Sequence, residues 1–434
     1  MNKYINRLLA SLTFSLALVP ATVMLAGMKV MAQTCPVPVL TSGLHVPLGI
    51  TQSERRNLFV SETGTLLPNT GRISIVDREG NRRDFLNGLP SGINDVNEPA
   101  GPAGVFLHEH TLYVAIGIGD TIKAGPVPGT AVPNPNPPAS PIFSSVLAIH
   151  FSNYVERNTT GFTLSSADHQ ALASGERVRK SNGGSDRITV ELIANFPDFF
   201  AEPLVAVPSL VAVPNNVRGS NPFDLVLVEG DRRHDGDRRD DDDDRCRSEL
   251  LYVTDGGRNL VWRVDIDSGA FSILAVFPQV ANPFFPTIGA PFIDAVPTGI
   301  AQSDGQLLVT LLRGVPFPPG ISVVEQVSPL TGNPTPFITG RKAAIDVLPI
   351  RRHGDTDYLV LQHASAGPFF GSPGHLLRFE TPAGPPAVIA DCLTRPTSMA
   401  LDERTGTLYV TELVPVPPGT PLQVGRIVTV HVVP

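Results

Sequence analysis

Short apolar segments succeed one another along almost the whole chain, and one of them recurs in nearly the same form. It reads apolar-aromatic-Val, often followed by a small residue and an acid. It appears as Leu58-Phe59-Val60-Ser61-Glu62, Leu112-Tyr113-Val114, Leu251-Tyr252-Val253-Thr254-Asp255, Leu307-Leu308-Val309-Thr310, Tyr358-Leu359-Val360 and Leu408-Tyr409-Val410-Thr411-Glu412. The valines are separated by 54, 139, 56, 51 and 50 residues. A period near fifty is the length of one four-stranded propeller blade.

Each copy has the same neighbours. Upstream lies a Pro-x-Gly-Ile type segment, as in Pro47-Leu48-Gly49-Ile50, Pro102-Ala103-Gly104-Val105 and Pro297-Thr298-Gly299-Ile300, with degenerate copies at 221–225 and 396–399. Its small residues suit an innermost strand crowded around an axis. Downstream lies an alternating strand with one buried face, such as Gly71 to Asp77 or Leu260 to Asp265. An Asp-x-x-Gly turn or its like follows, then a fourth strand such as 83–86 or 271–276. The predicted fold is all-β: a six-bladed β-propeller of four-stranded antiparallel blades. Blade six runs out of chain after three strands, and the stretch Val37-Pro38-Val39-Leu40-Thr41 is the candidate for its fourth. Pairing the two termini removes an exposed sheet edge and closes the ring.

The 139-residue step holds insertions and no seventh blade. Residues 121–141 are rich in Pro, Gly and Asn, and 163–182 are polar and suit a short helix. Residues 231–248 carry eight Asp and six Arg, and interrupt blade three between its first and second strands. The near balance of charge, and the lack of a calcium-loop spacing with a distal Glu, make this a solvated loop.

Composition agrees with many short strands. The 43 prolines and 39 glycines are spread along the chain, a density that long helices do not tolerate. A net charge of −8 with no basic stripe excludes nucleic acid as a partner. Residues 1–32 read as a signal peptide: Lys3 and Arg7, an uncharged apolar run over 8–27, then Val30-Met31-Ala32 before a cut at Gln33. The expected product, residues 33–434, is one domain, a secreted or periplasmic monomer with no membrane contact. Three cysteines, Cys35, Cys246 and Cys392, allow at most one disulfide.

The run Asp294-Ala295-Val296-Pro297-Thr298-Gly299-Ile300, with Leu307 to Leu311 and Pro316-Phe317-Pro318-Pro319-Gly320, resembles the ScyD/ScyE family. So do Ser220-Asn221-Pro222-Phe223, Gly101 to Val105 and Val253 to Leu260. These are exported NHL-like and SMP-30-like propellers associated with synthesis of the pigment scytonemin. The resemblance covers about 40–434 and implies a periplasmic or extracellular accessory role. It supplies no catalytic residues, and the Asp/Arg insertion departs from the family pattern.

Six loops of a propeller converge on one face, which commonly carries a site. The residues expected to rim that face are His45, Asn221, Thr298, Asp346 and Arg395, with Asn221 and Asp294 in the segments most like the family. Asn221 and Asp294 also suit plain turn capping. Glu62, Asp255 and Glu412 end second strands and offer a ring of carboxylates for Ca²⁺ or another divalent cation. The structural alternative sets Glu62 against Arg72 and Glu412 against Arg426 as cross-strand pairs. His108-Glu109-His110 reads as a turn, and His363-Ala364-Ser365-Ala366-Gly367 lacks the first glycine of a nucleophile elbow. The function expected is binding of a small-molecule ligand, or of a protein partner, outside the cytoplasm. A metal-dependent lactonase or other hydrolase, a sugar-dehydrogenase-like enzyme and an interaction platform are the rivals. Three or four oxygen ligands from different blades at one channel mouth would favour an enzyme, and an apolar mouth would favour binding.

Overall fold

The computed structural model describes residues 35–432 apart from 66, 128, 185, 207–210, 230–248, 353 and 415–423. Residues 1–32, expected to be a signal peptide, the Asp/Arg insertion and Cys246 lie outside the described residues. The rest is a six-bladed β-propeller. Its innermost strands are Pro47–Gln52, Pro102–His108, Pro222–Glu229, Pro297–Ser303, Ala344–Arg352 and Pro396–Asp402. Each touches the next in that order, and the sixth touches the first, so the ring is closed.

The recurring signature is the second strand of every blade. Leu58–Glu62 is buried along its whole length, and its counterparts nearly so. A second strand is sandwiched between two neighbouring blades, so both its faces are covered. That is why the signature is a continuous apolar run and not an alternating one. Phe59 shows the consequence: fully buried, its ring lies 5.3 Å from both Phe85 and Phe151 in the core between blades one and two. Burying such a side chain contributes about 1.5–3 kcal/mol.

The terminal strands close the ring as the pattern predicts. Val39–His45 pairs antiparallel with Val424–His431, so the strand runs on past Thr41 to the edge of blade one. A disulfide from Cys35 to Cys392 ties the chain ahead of that strand to blade five's outer strand, Ala387–Leu393.

The insertion of blade two becomes a cover for exposed edges. It contains α1 (Asn153–Asn158) and α2 (Ser166–Ala173), the latter started by a capping box between Ser165 and Asp168. Phe162–Thr163 adds in parallel to the outer strand of blade one, and Val178–Ser181 adds a fifth strand to blade two. No helix among the described residues is long and apolar enough to cross a membrane.

Candidate functional site at the channel mouth

The six blades present equivalent residues in layers down the axis. The first layer is the residue before each innermost strand: Val46, Gly101, Asn221, Val296, Ala343 and Arg395. Their carbonyls accept the amides of a second layer at or just past the end of each second strand: Thr63, Gly117, Gly256, Leu312, His363 and Leu413. All six of these bonds are present, at 2.8–3.1 Å. Four first-layer residues, Val46, Val296, Ala343 and Arg395, adopt positive φ, and every innermost strand begins with a bulge in its pairing. Bulges re-aim side chains, and here they turn one residue per blade toward the axis.

That residue is Gly49, Gly104, Asp224, Gly299, Asp346 or Ser398, and together these form a constriction. Asp224, Asp346, Gly104, Gly299 and Ser398 line one narrow gap with no room for a water molecule. The glycines are needed beside the acids: a Cβ on Gly299 would stand 2.7 Å from Asp346 Oδ1. Asp224 accepts the Ile300 amide at 3.1 Å. Asp346 accepts the amides of Val347 and Met399 and the Ser398 hydroxyl. Burial raises both carboxyls, and for Asp224 the Asp346 charge adds to it. No cation pairs with either among the described residues, so ionising one acid disfavours ionising the other.

Above the constriction opens a cavity of about 230 Å³. Leu48, Ala103, Phe223, Ile345, Leu312 and Leu413 make its walls, and Asn94, Glu98, Asn221, His363 and Arg395 are its polar groups. Phe370 forms one side. It packs on Phe317 at 4.0 Å and edge-on to His363 at 4.6 Å. Both phenylalanine loops are gathered by the buried Lys342, whose Nζ donates to the carbonyls of Phe317, Gly367 and Phe369. His363 is only 7% exposed, and burial pushes its imidazole down to about 4, so it is neutral. Its Nδ1 lies 2.9 Å from the Pro396 carbonyl. A carbonyl only accepts, so the proton sits on Nδ1 and Nε2 carries a lone pair. Glu98 reaches solvent at the rim, where crowding raises its carboxyl against the pull of the Arg395 charge.

The structure distributes the residues expected at the mouth over several depths. Asn221 and Arg395 line the cavity together. Asn221 also accepts the Ile118 amide through Oδ1 and donates its own amide to Asp255. Asp346 lies lower, in the constriction. Thr298 is buried between blades, its hydroxyl 2.9 Å from that of Thr310. Asp294 sits in a network apart from the cavity, where Oδ1 accepts from Arg218, Asn259 and Gln279, each at 2.8 Å. Burial alone would raise its carboxyl, but the Arg218 charge and these donors hold it below the usual range. His45 ends blade six's outer strand and does not line the cavity. Glu98, His363, Phe370 and Asp224 were not among the expected site residues. The one available signal is comparison across the repeat, because His363, Arg395, Asp224 and Asp346 depart from the small or apolar residue held by most equivalent positions.

Glu62, Asp255 and Glu412 act as staples between strands. Glu62 accepts the His45 amide and Arg72 at 2.6 Å each, and Glu412 accepts the Thr394 amide at 2.6 Å and Arg426 at 2.7 Å. Asp255 accepts the amides of Asn221 and Arg258 and the Trp262 indole. In each case the acid ending a second strand fastens the chain entering that blade's innermost strand. His108-Glu109-His110 is the turn of blade two, with Glu109 at positive φ.

No family model matches the sequence, and neither does any curated protein. Solved structures match at low identity and with TM-scores below 0.5. An oxidoreductase (glucose dehydrogenase) of Thermus thermophilus matches at 16% identity and TM-score 0.41, covering 90% of this chain and 99% of its own. The PQQ-bound aldose sugar dehydrogenase of Streptomyces coelicolor matches at 11% and 0.40, covering 90% and 96%. A Trypanosoma rangeli sialidase mutant matches at 10% and 0.42, covering 90% of this chain and 54% of its own.

Proposed function

We propose that this propeller is a binding protein for a small molecule held in the channel-mouth cavity, acting as an accessory factor outside the cytoplasm in the manner the ScyD/ScyE resemblance implies. The observation that carries it is the cavity lining: apolar walls with a few convergent polar groups, the usual make-up of a ligand site. At about 230 Å³ the cavity is smaller than the ~300–1,000 Å³ typical of drug-sized ligands, so the ligand is small. The constriction below it stops passage along the axis and makes the cavity a cup. A disulfide at Cys35–Cys392 fits an oxidising compartment. Saturation-transfer NMR with a library of small apolar fragments tests the site. Hits that bind the wild-type chain and are lost in Leu413→Trp, which fills the mouth, support it. Hits unaffected by that substitution refute it.

One observation favours an enzyme as second reading. His363 is a neutral imidazole lining a cavity that also holds Glu98 and Arg395, groups suited to hydrolysis. Turnover of simple lactones or aryl esters that disappears in His363→Thr would move the assignment to a hydrolase.

A further inference from the structure

Two layers of the mouth each hold a single ionisable side chain. Arg395 is the charged residue among the six that precede innermost strands, and His363 is the titratable one among the six at or just past the ends of second strands. The exceptions are neighbours, on blades five and six. The carbonyl that anchors His363 belongs to Pro396, next to Arg395, and the Arg395 charge helps to keep the imidazole neutral.

The structural part of the His363 role needs no imidazole. Thr63, its counterpart in blade one, makes the same link to the next blade, its hydroxyl donating to the Pro102 carbonyl at 3.0 Å. What histidine adds is Nε2, a hydrogen-bond acceptor on a side chain more than nine-tenths buried, with no partner among the described residues. Arg395 shows a matching surplus. Its half-buried guanidinium makes no hydrogen bond or ion pair among the described residues, although it lines an apolar-walled cavity. Glu98 lies within reach of its charge but meets none of its donors, and a guanidinium with unmet donors in such surroundings favours an anion that can accept from them.

Resting on the small-molecule reading of this cavity, we infer that the ligand is a small organic carboxylate on an apolar body. The carboxylate pairs with Arg395, the body lies against Phe370 and Leu413, and a hydroxyl or amino group of the ligand donates to His363 Nε2. Glu98 stands on the exposed rim, within reach of the Arg395 charge, and favours ligands with a single negative charge.

The test is calorimetric titration of the full chain with sodium benzoate, benzamide and 3-hydroxybenzoate. Benzoate is expected to bind roughly tenfold or more tightly than the uncharged benzamide. Arg395→Gln is expected to erase that preference. His363→Thr keeps the blade link in the form that Thr63 uses, and is expected to abolish any advantage of 3-hydroxybenzoate over benzoate. Unchanged melting temperatures confirm that the variants fold. If benzoate and benzamide bind equally and both are lost in Leu413→Trp, the cavity binds small molecules but the anion assignment is overturned. If the preference survives Arg395→Gln, Arg395 is not the anion site. If none of the three probes binds, both the carboxylate assignment and the cavity reading fall.

Discussion

Two sets of buried carboxylates, one in blades one, three and six and the other in blades three and five, have opposite surroundings. Glu62, Asp255 and Glu412 end second strands, and each is met by a backbone amide and by further donors, an arginine for both glutamates. Asp224 and Asp346 sit on the axis, with amides and one hydroxyl but no cation, and with each other as nearest charge. Burial therefore does not by itself say what an acid is doing. The first set is saturated and fastens blades one, three and six at their entry points. The second is under-compensated and holds protons that free carboxyls would lose.

Removing a member of the saturated set should cost most. Glu62→Ala leaves Arg72 without its partner and the His45 amide unpaired, and is expected to destabilise the fold by about 3–5 kcal/mol in denaturant unfolding. A loss under ~1 kcal/mol would mean that the staple is incidental.

The axial pair should make stability depend on pH. Burial pushes Asp346 up to about 7 and raises Asp224 as well. The native state then holds more protons than the unfolded chain, whose aspartates titrate near ~3.9. The pair's contribution is fully present below that value and lost as pH rises toward 7. Stability is expected to fall by about 3 kcal/mol between pH 4.5 and 7.5 (roughly two pK units, from Asp346 alone), read from urea midpoints. A rise over that range would show that the pair is ionised in the native state. Asp224→Asn should flatten the slope and gain about 1 kcal/mol at pH 8, because the amide still accepts from Ile300 and the like charge is gone.

The smallest effect belongs to the exposed rim. Glu98→Gln is expected to leave stability within about 0.5 kcal/mol and to tighten benzoate binding roughly twofold, since it removes a like charge screened by solvent. A larger stability loss would place Glu98 among the staples.

Much of this arrangement is legible in the sequence because it repeats. The Thr and Ser of the signature are one example. Thr254 accepts the Asp224 amide across its own blade's bulge and donates to the Thr298 carbonyl of the next blade, and Ser61 bridges Gly49 and Ala103 in the same way. A residue with a job in every blade leaves a periodic mark. The cross-strand partners Glu62–Arg72 and Glu412–Arg426 were legible for the same reason, since hairpin register follows from strand pattern. Depth along the axis was not legible. Asn221, Thr298, Asp346 and Arg395 all open innermost strands, yet the entry bulges put them in the mouth, between blades and at the constriction. Glu98 comes from a loop and Phe370 from a segment gathered by Lys342, and neither belongs to the repeat at all.

The sequence alone determined the number of blades, the strand that closes the ring and the second strand of every sheet. Those features rest on local pattern copied six times, and every copy reinforces the same register. The cup at the mouth, the proton-holding pair beneath it and the pairing of His363 with Arg395 were decided only when the ring closed. Each is made of single departures from the repeat, and closure alone brings residues more than a hundred positions apart to one axis, where shared burial and charge give them their chemistry.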